Sequence, residues 1–142
     1  MEHLVVFITK HWLLSSLLLL VLLAFSIHEW FQSRKAAREV SSEQTVDLMN
    51  HQDAVVIDIR SESQFQEGHI LDSLSIPSQN LDKKMNSLQK YQSKPIIVVC
   101  NVGQAAAKVA LDLKQKGFPQ VFVLSGGLQA WKGAGLPLVK KG

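Results

Sequence analysis

Pro95-Ile96-Ile97-Val98-Val99-Cys100-Asn101-Val102-Gly103-Gln104-Ala105-Ala106-Ala107-Lys108-Val109-Ala110-Leu111-Asp112-Leu113-Lys114 is the stretch on which the reading of this chain turns. Its first six residues form a short apolar, β-branched run opened by proline, the pattern of a buried strand. Asn101-Val102-Gly103 turns the chain, and helix formers with helical apolar spacing follow from Gln104. Cys100, the chain's single cysteine, is therefore expected where a strand hands over to a helix. A sulfur over a helix N-terminus meets unpaired N–H groups and the positive end of the helix dipole. Both stabilise an anionic sulfur, and thiolate is the reactive form. The competing reading is an inert core cysteine, since free cysteine is among the most buried residue types.

Working outward, strands and helices alternate. Ser41-Ser42-Glu43-Gln44 carries the spacing of a capping box and starts a short helix through Asn50. Ala54-Val55-Val56-Ile57-Asp58-Ile59-Arg60 reads as a strand that is apolar until Asp58. Ser61 to Gln66 forms a helical turn closed by Gly68, Ser73 to Pro77 is a short extended piece, and Leu81 to Lys90 is a surface helix. After the quoted stretch, the helix stops at Gly117 behind Lys114 and Lys116. Val121-Phe122-Val123-Leu124 is a further strand, and Gly126-Gly127 opens a last helix through Trp131. The alternation predicts an α/β fold, a parallel sheet flanked by helices.

The N-terminus is of another kind. Trp12 to Ile27 holds no charged residue and is dominated by leucine, which is half of it, and Leu4 to Thr9 extends it upstream past Lys10 and His11. Residues 4–27 are long enough for one transmembrane helix if Lys10 snorkels, with Trp12, Trp30 and Phe31 as interfacial aromatics. A cleaved leader fits less well: the chain starts Met1-Glu2-His3, and Ala24-Phe25-Ser26 puts a bulky residue between two small ones. The expected organisation is a membrane anchor and short polar stalk over residues 1–40, then one domain over residues 41–142. Arg34, Lys35 and Arg38 follow the span while only Lys10 precedes it, which places the C-terminal domain in the cytoplasm. A lone cysteine agrees with a reducing compartment. The net charge of +3 is no nucleic-acid signal. Beyond Ser41 basic and acidic residues nearly balance, the lysines are scattered, and aromatics do not interleave with them.

In order along the chain stand Asp58-Ile59-Arg60, Gly68-His69-Ile70, Ile76-Pro77, Cys100-Asn101-Val102-Gly103, Val121 to Leu124, Gly126-Gly127, Trp131 and Gly135-Leu136-Pro137. In this set and order the chain resembles the rhodanese-like family of sulfurtransferases from Ser41 onward. With its span it is similar to small membrane-anchored bacterial members, which implies the cell inner membrane. The resemblance implies that Cys100 takes sulfane sulfur from a donor as a persulfide and passes it to a thiol acceptor, small molecule or protein. It makes Asn101, Val102, Gly103, Gln104 and Ala105 the active-site loop and gives Asp58 and Arg60 supporting positions. No cofactor and no metal are expected, since no second ligand stands at metal-binding spacing from His69.

The loop departs from the family at Ala105 and Ala106, where active members often carry a basic residue with a hydroxyl residue beside it. An arginine there would bind an anionic donor. Its absence argues against thiosulfate as the physiological donor and against the related Cys-x5-Arg phosphatases. It also keeps open a reading from another class, a catalytically weak or inactive module that docks a partner at the membrane. Among the remaining residues, His69 is expected to bond backbone in a turn, Trp131 to anchor the last helix, and Gly126-Gly127 to serve turn and packing.

Overall fold

The computed structural model describes residues 1–140. The chain separates into two compact units, Met1–Ala36 and Ala37–Gly142.

The N-terminal unit is two helices, α1 (Glu2–Lys10) and α2 (Trp12–Lys35). His11 leaves helical geometry at φ −124° and ψ 42°, so the apolar run is not the single helix expected over residues 4–27. The stretch long and apolar enough to cross a membrane, by length and composition, is Trp12–Phe31, and none of it is buried against protein. Lys10 falls outside it, and its C-terminal end moves from Ile27 to Phe31.

The second unit runs β1 (Arg38–Val40), α3 (Ser42–His51), β2 (Val55–Asp58), α4 (Glu62–Glu67), β3 (Leu74–Ser75), α5 (Leu81–Leu88), β4 (Ile96–Val99), α6 (Gln104–Gln115), β5 (Val121–Leu124) and α7 (Gly127–Gly133). The strands form one five-stranded sheet in the order β1-β5-β4-β2-β3, and every pairing is parallel. Residues 38–40, assigned on sequence to the polar stalk, are thus the sheet's first edge strand, with Val40 opposite Leu124. The capping box at Ser41 is present: the Gln44 N–H donates to Ser41 Oγ and the Ser41 N–H donates to Gln44 Oε1.

Alternation along the strands divides the core between the two faces of the sheet. Ile57, Ile96, Val98, Val121 and Val123 face one way and pack with Leu88 of α5 and Ala106, Ala110 and Leu113 of α6. Val56, Ile97, Val99 and Leu124 face the other way with Leu128 and Trp131 of α7. Cys100 continues the Ile96–Val98 alternation and belongs to the first layer. Its side chain therefore leaves the end of β4 on the α6 side, at the carboxyl edge of a parallel sheet where α/β folds gather ligands.

Candidate functional site

The site is built where β4 ends. Cys100 is buried, and its Sγ accepts a hydrogen bond from the Gly103 backbone N–H at 2.9 Å. Closing so tight a loop requires Gly103 at φ +96°, a conformation glycine adopts without steric cost. Gly103 also caps α6, whose leading N–H groups lack intrahelical partners. Asn101, Gln104 and Ala105 are exposed around the sulfur, and Val102 stands out from the loop as an exposed apolar side chain.

The loop is held from below by α7. Leu128 N–H donates to the Cys100 carbonyl at 2.9 Å and Gln129 N–H to the Asn101 carbonyl at 3.2 Å. This close approach needs Gly127, because a Cβ there would lie 2.4 Å from the Cys100 carbonyl oxygen. Gly126-Gly127 thus serves turn and close packing, both residues having positive φ.

Asp58 and Arg60 meet each other rather than the sulfur. Asp58, at the end of β2, is buried and its carboxylate accepts from Arg60 Nε and Nη2, the latter at 2.7 Å, and from the Arg60 backbone N–H at 3.0 Å. Arg60 Nη2 also donates to the Gly68 carbonyl at 2.7 Å. The pair ties the β2 terminus to the chain after α4. His69 is engaged nearby, with Nδ1 2.8 Å from the Phe65 carbonyl oxygen and the ring stacked on Phe65. Trp131 is buried and donates from Nε1 to the Pro137 carbonyl at 3.1 Å.

An open cleft of about 400 Å³ lies over the Cys100 sulfur, bounded by Cys100, Asn101, Val102, Gln104 and Ala105 on the loop side. Ile59, Arg60, Ser61, Gln64 and Ser78 bound it from the β2 side. Arg60 is the charged residue of this lining, and its guanidinium is engaged by Asp58 and Gly68. The cleft therefore offers a sulfur anion backbone N–H groups and neutral side chains rather than a free cation. Ser61, Gln64 and Ser78 went unnoticed in the sequence, since polar residues at helix starts distant along the chain from Cys100 carry no local signal of convergence. Among the described residues no cluster of three or more His, Cys, Asp or Glu is placed to hold a metal ion.

Residues 41–134 match the family of the Rhodanese-like domain. The chain is 33% identical over 141 residues to the "Uncharacterized protein YibN" of Escherichia coli (strain K12), an alignment covering 99% of each. It is 34% identical over 99 residues to the thiosulfate sulfurtransferase GlpE of Pseudoalteromonas translucida, covering 70% of this chain and 92% of the relative. A crystal structure of a rhodanese-related protein from Thermoplasma volcanium superposes with a TM-score of 0.66 at 26% identity, covering 73% of this chain and 99% of that one.

Proposed function

Because the chain belongs to the rhodanese-like domain family, we propose that it is a sulfurtransferase that carries sulfane sulfur as a persulfide on Cys100. The observation that carries this reading is the Gly103 N–H directed at Cys100 Sγ at the floor of an open cleft. Such a donor supports negative charge on sulfur. The thiolate attacks the outer sulfur of the donor, and the donor's S–S bond breaks. The leaving fragment keeps the bonding pair, and Cys100 holds a persulfide. An acceptor thiolate then takes the outer sulfur and returns Cys100 to thiolate. Asn101, Val102, Gly103, Gln104 and Ala105 shape the pocket for this exchange, and the Asp58–Arg60 pair holds the β2 side of the cleft.

The α2 helix anchors the protein in the cell inner membrane, with the domain on the cytoplasmic side that Arg34, Lys35 and Arg38 favour. The test is mass spectrometry of the full-length protein in detergent after incubation with thiosulfate or a protein persulfide. Cys100 should gain one sulfur atom, Cys100→Ser should gain none while keeping its melting temperature, and absence of the adduct with every donor would overturn the reading.

A second reading follows from the neutral cleft and exposed Val102: a domain with little turnover that docks a partner at the membrane. Partner capture unaffected by Cys100→Ser, together with no sulfur adduct, would favour it.

A further inference from the structure

The cleft over Cys100 shares Ser78 and Ala105 with a larger groove of about 610 Å³ that runs along α6. Ala105, Lys108, Val109 and Asp112 follow one another at helical i, i+3, i+4 and i+7 spacing and so form one face of that helix. Opposite them stand Ser78, Gln79 and Leu81. The charges in this groove are unequal in status. Asp112 is paired with Lys116 at 3.3 Å. Lys108 is exposed, lines the groove and has no ion pair among the described residues. The cation that Ala105 fails to supply beside the sulfur is thus present one helical turn further on, about 5 Å along the axis.

A compact inorganic donor sitting on Cys100 is accommodated by the smaller cleft alone and leaves the α6 groove unused. We infer that the donor is an organic persulfide whose carrier lies in the α6 groove and bears a carboxylate that Lys108 binds. The inference rests on the sulfurtransferase reading and names the donor's class. In the step it implies, Cys100 thiolate attacks the terminal sulfur of R–S–SH. The donor's S–S bond breaks, R–S⁻ leaves with the bonding pair, and Cys100 becomes the persulfide Cys–S–SH. The atoms and charge balance without an added oxidant or reductant. Lys108 acts as a specificity residue, holding the carrier while backbone N–H groups serve the reacting sulfurs.

The test uses full-length protein in detergent and two probes of equal carbon number up to the end group, the persulfides of 3-mercaptopropionate and of 2-mercaptoethanol. The readout is the ratio of their rates of Cys100 loading. Wild type should prefer the carboxylate probe, with the preference expressed in KM and shrinking as salt is added. Lys108→Gln should lower the ratio about three- to fivefold, the upper range for an exposed ion pair, and Lys108→Arg should keep it. Equal loading of both probes by wild type, or an unchanged ratio in Lys108→Gln, would overturn the role of Lys108 and leave sulfur transfer standing. Failure of both probes, of thiosulfate and of a protein persulfide to load Cys100 would overturn the sulfurtransferase reading and this inference with it.

Discussion

Gly127 stands beneath Cys100 so closely that a Cβ on it would lie 2.4 Å from the Cys100 carbonyl oxygen and 2.6 Å from the Asn101 carbonyl carbon. Its φ of +60° adds backbone strain for any other residue. Gly127→Ala should therefore cost at least about 2 kcal/mol. Because the atoms in the way are backbone, relief requires moving the cysteine loop and α7 apart. Thermal unfolding should report the loss of stability, and Cys100 sulfur loading in the folded fraction should fall with it. An alanine variant with wild-type melting and loading would contradict the close packing.

Asp58 and Arg60 form an ion pair whose side chains are 2% and 8% exposed. Removing one partner leaves the other as an uncompensated buried charge. Asp58→Asn should destabilise the domain by roughly 3 kcal/mol, measured by chemical denaturation. Molecules that remain folded should still load sulfur on Cys100, since the pair bonds to Gly68 and not to the sulfur. Full stability with lost loading would instead mean that Arg60 touches the donor.

Ala105 is exposed on the cleft wall, with open space before it. Ala105→Arg should install a cation free of the Asp58 and Gly68 contacts that engage Arg60. Thiosulfate-dependent loading should rise about tenfold, the low end for a charge-assisted hydrogen bond. Sulfite release is the measurement. A flat response would mean that the neutral loop is not what limits thiosulfate use.

The parts of this design that are local in sequence were legible there. The strand ending at Cys100, the glycine turn after it, the capping box at Ser41 and the Gly126-Gly127 turn each announce themselves within a few residues. Three features do not. β1 is three residues long with only Val40 buried, so Arg38-Glu39 reads as solvated stalk until Phe122 and Val123 are placed beside it. The break at His11 interrupts an otherwise apolar run without proline or glycine to mark it. Lys108 looks like any surface lysine of an amphipathic helix, and gains meaning only when Ser78 and Gln79 close the groove opposite. The Asp58–Arg60 partnership is intermediate. A strand-end carboxylate with a nearby arginine is visible, but the arginine's second partner, the Gly68 carbonyl, depends on how α4 returns.

The bond from Leu128 to the Cys100 carbonyl also orders events on the ribosome. Chains emerge N-terminus first, and domains fold as units during synthesis. Cys100 leaves the exit tunnel before Leu128 and Gln129, which clamp its loop, and β1 must wait for β5, with which it pairs. The nascent chain thus passes through a stage at which its thiol is exposed but its anion cradle is unfinished. The cradle is complete only once β5 and α7 have been made, so translation products that stop before them carry the cysteine without its anion cradle.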